Sequence, residues 1–218
     1  MPAAMIWGAN GGIGRALVEL LTEQDWTVIA VTHTPRTLDM LTPHVFDANT
    51  AVPYEVQLAA QSMSTISSKI DLSVYAAGDI TSANASEMDL DQWSRIVDAN
   101  LTGAFVTTRY GLPLMAEEGH MVYLGAISER LMLPKLSAYV AAKAGLEAFV
   151  AALSKEERKR RFTVVRPGAV DTPFWEKVPL GPPKNAMAPR MVAQKILEAY
   201  KQHHTGQLDL TQPATEKT

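Results

Sequence analysis

There is no cysteine in the 218 residues. That excludes disulfides, cysteine–zinc sites and thiol chemistry. No apolar run reaches the roughly 18 residues of a membrane-spanning helix. The opening stretch, MPAAMIW, has neither a charged leader nor an apolar core long enough for a secretory signal. A surplus of either charge is missing too. With a net charge of −3 and a pI near 6.0, the chain offers no electrostatic footprint to nucleic acid or an anionic membrane. The expected setting is cytoplasmic and the expected partner a small molecule. Apolar residues make up 47 % and charged residues 20 %, an ordinary globular balance, so residues 1–218 are expected to form one domain.

Low-complexity segments and fixed-period repeats are also absent. What is present is alternation. Apolar or β-branched runs at 3–7, 27–32, 45–46, 72–76, 120–124, 162–166 and 207–210 read as strands. Between them, 12–23, 54–69, 91–115, 137–159 and 189–202 read as helices, the long 91–115 stretch bending near Gly103 or Pro113. The strands are continuous apolar runs rather than alternating ones, as in strands buried on both faces. The pattern predicts a doubly wound α/β domain of Rossmann type: about seven parallel strands with helices on both faces. The proline-rich stretch 171–188 is irregular. A loop that long is expected to be a lid over a site, with an ordered surface loop as the plain alternative.

Glycine is concentrated rather than scarce. In WGANGGIGRALVELL, Gly8, Gly11, Gly12 and Gly14 fall between a strand and a helix. Bare backbone there can approach a pyrophosphate, and the helix N-terminus supplies N–H donors and partial positive charge. The spacing G-x-x-x-G-x-G has one residue more between its first two glycines than the common dinucleotide fingerprint. A carboxylate at the end of the second strand would hold a ribose 2′-hydroxyl. Thr32 and His33 stand there instead, followed by Arg36. No acid repels a 2′-phosphate and Arg36 can pair with one, which favours NADP(H) while leaving NAD(H) open. Arg36 reads equally as a solvated loop residue. Asp47, after the third strand, is placed to accept from an adenine amino group or simply to form a turn.

In SAYVAAKAGLEAF, Tyr139 and Lys143 are four apart and share a helix face. An ammonium near a phenol favours the phenolate and lowers its pKa. Such a tyrosine can give a proton to an alkoxide as hydride reaches a carbonyl, or take one in reverse. An isolated pair of this spacing is more often an ordinary surface pair; its weight here comes from its place after the fifth strand.

Taken in order, these motifs resemble the short-chain dehydrogenase/reductase family over almost the whole chain. Gly8, Gly12 and Gly14 match its cofactor loop. Ala76-Ala77-Gly78 is similar to its Asn-Ala-Gly motif. Asn100, in VDANLTGAF, matches the helix asparagine that holds a relay water. Tyr139 and Lys143 match its catalytic pair, Lys143 also binding the nicotinamide ribose. Pro167, Gly168, Val170 and Thr172, in RPGAVDTP, match the loop that holds the carboxamide. TGQLDL is similar to its last strand. The resemblance implies catalytic Tyr139, Lys143 and Asn100, with Asn10, Ile13 and Ala48 added to the residues lining the cofactor. It implies no metal, and a homodimer or homotetramer using the two long helices, with Phe105, Tyr110 and Phe149 as contacts.

Three positions depart from the family. Trp7 replaces a threonine, Ala76 an asparagine. The family serine lies thirteen residues before the tyrosine, where Ala126 stands, with Ser128 two residues on. Ser128 is either a shifted replacement or a loop serine without a role. LGAISERL and DWTVIAV loosely resemble the family's dihydropteridine reductases, whose substrate is a conjugated C=N system. A sensor or scaffold that keeps the fold without catalysis is the rival class. The cationic run KEERKRR at 155–161 suits a helix C-terminus better than a nucleic-acid patch. His203-His204 read as a solvated helix end rather than metal ligands.

Overall fold

The computed structural model describes residues 1–33, 38–179 and 181–211. Arg36, the expected 2′-phosphate partner, lies outside them. The apolar runs become strands β1 (Ala3–Trp7), β2 (Thr27–Thr32), β3 (His44–Asp47), β4 (Ile70–Tyr75), β5 (Met115–Leu124), β6 (Arg161–Pro167) and β7 (Gly206–Leu210). They pair in parallel in the order β3-β2-β1-β4-β5-β6-β7. This is the predicted seven-stranded, Rossmann-type sheet.

Alternate residues of each strand feed two cores, because side chains project to opposite faces with period two. Ala4 and Ile6 of β1 pack under α1 (Gly12–Thr22) and α6 (Pro189–Lys201), with Leu17, Leu21, Val192 and Ile196. Ala3, Met5 and Trp7 face the other layer, formed by α2 (Pro53–Met63), α4 (Gly103–Gly111) and α5 (Ser137–Glu156), with Val56, Met63, Val106, Leu146 and Val150. Winding turns back between β1 and β4, which leaves a crevice at the C-terminal strand ends there. No helix among the described residues is long and apolar enough to cross a membrane.

Three elements differ from expectation. α2 stops at Met63 rather than 69. Around its end, the hydroxyls of Ser62, Ser64 and Thr65 donate to the carbonyls of Leu58, Gln61 and Ser62, competing with helical bonding. β5 starts at Met115, five residues early, running through the exposed Glu117 and Glu118. The long helix is four pieces: α3 (Leu90–Val97), a π turn (Asp98–Thr102), α4 and a closing 3₁₀ turn. Both expected places are irregular: the π turn ends directly at Gly103, and α4 gives way after Gly111 to a 3₁₀ turn (Leu112–Leu114) that contains Pro113. Side-chain contacts hold the π turn: Tyr75 Oη donates to the Ala99 carbonyl at 2.8 Å, and Asn100 Nδ2 to the Ile96 carbonyl at 2.8 Å.

Candidate active site

The glycine loop turns because it must leave β1 and enter α1 at once. Gly8 has φ +79°, the left-handed region that favours glycine. Its N–H and that of Ala9 both donate to the Val31 carbonyl, at 2.9 and 3.0 Å, locking the loop to β2. A Cβ at Gly12 would strike the Thr172 side chain, and one at Gly14 would strike the Gly8 carbonyl. The 167–172 loop therefore closes directly on the start of α1. That helix is capped by Gly11 with no side-chain cap and has no acid in its first turn, so its N–H groups keep their attraction for an anion. Asn10 and Ile13 flank this loop. The residues present fit a dinucleotide's phosphates: a cradle that a Cβ would fill, beside an uncapped helix start.

On one side of the loop are the ends of β2 and β3. Thr32 is buried and His33 exposed, and Thr32 pairs in register with the exposed Asp47. Ala48 donates its N–H to the Thr32 carbonyl at 3.2 Å. On the other side, Ala76 donates to the Trp7 carbonyl at 2.8 Å, and a Cβ on Gly8 would lie 2.5 Å from the Ala77 nitrogen. The loops after β1 and β4 thus touch at the switch point.

Further along, three side chains converge. Asn100 is fully buried at the π turn, a kind of helix irregularity frequent at functional sites. Its Nδ2 donates to the Asp79 carbonyl at 2.6 Å as well as to Ile96, which fixes the amide's orientation. Its Oδ1 is buried without a partner. A Cβ on Gly78 would sit 3.0 Å from that Oδ1 and 3.8 Å from Lys143 Nζ. The site therefore presents an unsatisfied acceptor beside the lysine, a place where a water or substrate hydroxyl gains a full hydrogen bond.

Lys143 is buried and donates to the Leu124 carbonyl at 2.7 Å. Burial pulls its pKa down to about 8, and Glu147, one turn on, opposes that fall. Its Nζ lies 5.7 Å from the Tyr139 ring centroid. Tyr139 is buried, and burial pushes its phenol pKa up. This differs from the expectation that the ammonium lowers the phenol. Burial is the cause of this shift: desolvation disfavours the phenolate and keeps the phenol in its neutral form.

Ala126 packs in one apolar cluster with Tyr139, Ala138 and Ile80. Alanine thus fills the position that resembles the family serine, while Ser128 opens a short 3₁₀ turn (Ser128–Arg130). The loop after β6 is anchored at both ends. Gly168 donates to the Leu210 carbonyl at 2.9 Å, and Val170 bridges to Met187. Beyond Thr172, a 3₁₀ turn (Pro173–Lys177) lays Phe174 across Tyr139 with ring centroids 5.8 Å apart.

Sequence reasoning did not single out Tyr75, Asp79, Arg95 or Lys177. Asp79 is buried at the end of the Ala-Ala-Gly turn and pairs with both Arg95 and Lys177. The available signal was an acid directly after an apolar strand and turn. Among the described residues no group of three or more histidines and acids is placed to hold a metal.

A sequence model described as short chain dehydrogenase matches residues 2–182. An uncharacterised oxidoreductase of Staphylococcus epidermidis is 27 % identical over 206 residues, covering 90 % of this chain and 87 % of the relative. One from Staphylococcus saprophyticus is 28 % identical over 213 residues, covering 91 % of each. Two solved structures share the fold. A glucose/ribitol-type short-chain dehydrogenase/reductase from Brucella melitensis superposes with a TM-score of 0.88 at 23 % identity, over 100 % of this chain and 97 % of that one. An alcohol dehydrogenase from the archaeon Thermococcus sibiricus, complexed with 5-hydroxy-NADP, gives 0.87 at 22 % identity, over 98 % and 99 %.

Proposed function

Since the chain belongs to the short-chain dehydrogenase family, whose members are oxidoreductases that take a nicotinamide cofactor, we propose that it moves hydride between NADP(H) and a carbonyl or conjugated C=N substrate, with Tyr139 as general acid and base. One observation carries this reading. Tyr139, Lys143 and the unpartnered carbonyl of Asn100 converge beside a glycine cradle.

The nicotinamide, when bound, supplies or accepts the hydride. The protein's part is proton handling and orientation. Burial keeps the Tyr139 phenol neutral, the form that gives a proton to a developing alkoxide or amide nitrogen. The Lys143 ammonium, facing the ring, stabilises the charge that appears on the phenol as its proton leaves. Asn100 Oδ1 offers an acceptor for the water that returns that proton. Gly8, Gly12 and Gly14 admit the pyrophosphate. Thr32, His33 and Asp47 would hold the adenosine end, Ala76, Ala77 and Gly78 the middle, and Pro167, Gly168, Val170 and Thr172 the carboxamide.

Ala126 beside Tyr139 favours a second reading at substrate level. Without a serine hydroxyl the substrate oxygen has one donor fewer, which suits a pterin-like or quinonoid acceptor better than a simple ketone. NADP(H) over NAD(H) rests on the missing acid after β2. A homodimer or homotetramer through α4 and α5 is supported by Phe105, half exposed and in edge contact with Phe149.

The test is NADPH oxidation across aldehydes, ketones, quinones and pterins, for the native protein and Tyr139→Phe. The variant is expected to lose roughly 10²–10⁴-fold in kcat while its NADPH Kd stays within a few-fold. A full rate in the variant refutes the mechanism. Binding of NADPH without oxidation by any acceptor favours a non-catalytic sensor or scaffold. Parallel titration with NADH is expected to show binding at least about tenfold weaker, or about 1.4 kcal/mol.

A further inference from the structure

Asp79 follows Gly78 and is nearly closed to solvent, and each of its oxygens is engaged. Oδ1 accepts from the Ile80 N–H at 2.9 Å and from Lys177 Nζ at 2.6 Å. Oδ2 accepts from Arg95 Nη1. The backbone carbonyl accepts from Asn100 Nδ2 at 2.6 Å. Arg95 is held in turn by Thr81, whose Oγ1 accepts from Nη2 at 2.5 Å. One residue thus joins three pieces of structure: α3, the π turn that carries Asn100, and the turn after Thr172.

The pairing is asymmetric. The Asp79 side chain is 11 % exposed, whereas those of Arg95 and Lys177 are 48 % and 52 % exposed. A desolvated carboxylate needs its cations, while the cations keep much of their hydration without it. Arg95 alone still pairs the carboxylate if Lys177 is lost, so the Lys177 contact is dispensable for the buried charge. Its consequence lies elsewhere. Lys177 sits one helical turn beyond Phe174. Phe174 and Val178 pack in the cluster that holds Tyr139 and Ile80. Nearer its base, the same segment is tied by Trp175 Nε1, which donates to the Val170 carbonyl at 2.8 Å. A substrate must meet the Tyr139 hydroxyl, so this segment has to shift for entry and settle again for reaction.

We propose that Asp79 is a positioning residue for the reaction: through Lys177 it fixes the 173–178 segment over Tyr139, and through its carbonyl it shares one hydrogen-bonded frame with Asn100. Lid and proton relay are thereby set together, and the Lys177–Asp79 contact is the part that opens for substrate. The catalytic side of this rests on the oxidoreductase reading above; the mechanical side does not.

The test uses the full chain, as the native protein and as Lys177→Met, Lys177→Arg and Asp79→Asn. Hydrogen–deuterium exchange is followed in the peptide covering 172–179. An ion pair worth up to about 1 kcal/mol corresponds to about fivefold faster exchange when it is removed. Lys177→Met and Asp79→Asn are expected to show that acceleration. Lys177→Arg is expected to restore protection, with α5 unchanged throughout. Unchanged exchange in Lys177→Met overturns the tie. Steady-state kinetics with NADPH and 4-nitrobenzaldehyde as the probe carbonyl supply the second readout. In Lys177→Met the aldehyde KM is expected to rise about five- to tenfold, with the NADPH KM unmoved. Raising salt from about 0.05 to 0.5 M should raise the aldehyde KM of the native protein but not of that variant. Faster exchange with an unaltered aldehyde KM overturns the positioning role. If the native protein does not reduce the aldehyde at all, the oxidoreductase reading suffers, and the exchange result still decides the tie.

Discussion

Substituting Gly8 tests the cofactor loop and the core at once. With φ at +79°, any side chain there is strained, at a cost of roughly 1–2 kcal/mol for an alanine. The added Cβ would also stand 2.5 Å from the Ala77 nitrogen, 2.6 Å from the Ala77 Cα and 2.9 Å from the Ala76 carbonyl carbon. Ordinary contacts lie near 3.5–4.0 Å. All three neighbours are backbone, so no side chain can rotate away, and overpacking of this kind costs about 1–3 kcal/mol. Gly8→Ala should therefore lose about 3 kcal/mol in urea unfolding, or roughly 6–12 °C in Tm for a chain of this size. The relief motion pushes on the loop after β4, where Gly78 borders Asn100 and Lys143. NADPH affinity should consequently fall by at least about tenfold, equivalent to about 1.4 kcal/mol. Gly11→Ala is the control. Gly11 has φ −70°, and its nearest neighbour to an added Cβ is the Gly8 carbonyl at 3.3 Å, so stability should stay within about 1 kcal/mol of the native protein. The reasoning fails if Gly8→Ala loses under about 1 kcal/mol, or if the two variants are equally damaged.

Two further outcomes are expected. His120 is fully buried, its Nε2 bonded to Thr163 Oγ1 at 2.8 Å, and burial above all holds its pKa down to about 3 against an ordinary 6.5. Below pH 6.5 the unfolded chain takes up this proton and the folded chain does not. The stability present above that pH is therefore lost at up to about 1.4 kcal/mol per pH unit as pH falls toward 3. Urea titrations between pH 7.5 and 5.0, above most carboxylate titration, should show that slope, and His120→Gln should flatten it; an equal slope in the variant refutes the assignment. Arg166 bonds both oxygens of Asp209, at 2.6 and 2.8 Å, and also reaches Glu129 at 2.9 Å and Glu147 at 3.2 Å. Arg166→Met should cost about 2–3 kcal/mol, below the full penalty of a broken buried pair, because Glu129 and Asp209 keep solvent contact while Glu147 is 12 % exposed. A loss under about 1 kcal/mol in urea unfolding refutes this.

The sheet was legible because its signal is local. AAMIW and TVIAVT are buried almost without interruption, as strands covered by helices on both faces must be. Boundaries were legible only where the stop is also local. Pro189 at the first turn of α6 and Gly206 at the head of β7 mark real ends. The apolar spacing of Met63 and Ile66 carries a helical pattern past the end of α2, whereas the hydroxyls of Ser62, Ser64 and Thr65 turn onto nearby carbonyls and end it. The start of β5 is hidden in the sequence because the exposed Glu117 and Glu118 separate the buried Met115 from the unbroken buried run that begins at Gly119.

The site divides along the same line. Residues that act through backbone geometry announce themselves: a Cβ at Gly8 or Gly14 would meet backbone, and one at Gly12 the Thr172 side chain. Tyr139 and Lys143 share a face by helical spacing, so their meeting was foreseeable, but the sign of the phenol shift was not. Spacing tells which groups are near. It does not tell how much water has been removed from them, and here desolvation alone sets the direction of the phenol's shift. Asn100 was visible as a motif, yet what aims it is remote: the Ile96, Asp79 and Tyr75 contacts gather helix, turn and strand around one π turn. Asp79, Arg95 and Lys177 escaped notice for the same reason. Their partners are 16 and 98 residues apart in sequence, and a lone acid after a glycine turn looks like any other turn acid. Only burial separates it from them, since a carboxylate closed from water must have been brought its cations by the fold. Where a charged residue ends up inside is thus the part of a site that pattern reading sees last, and it is the part most worth mutating first.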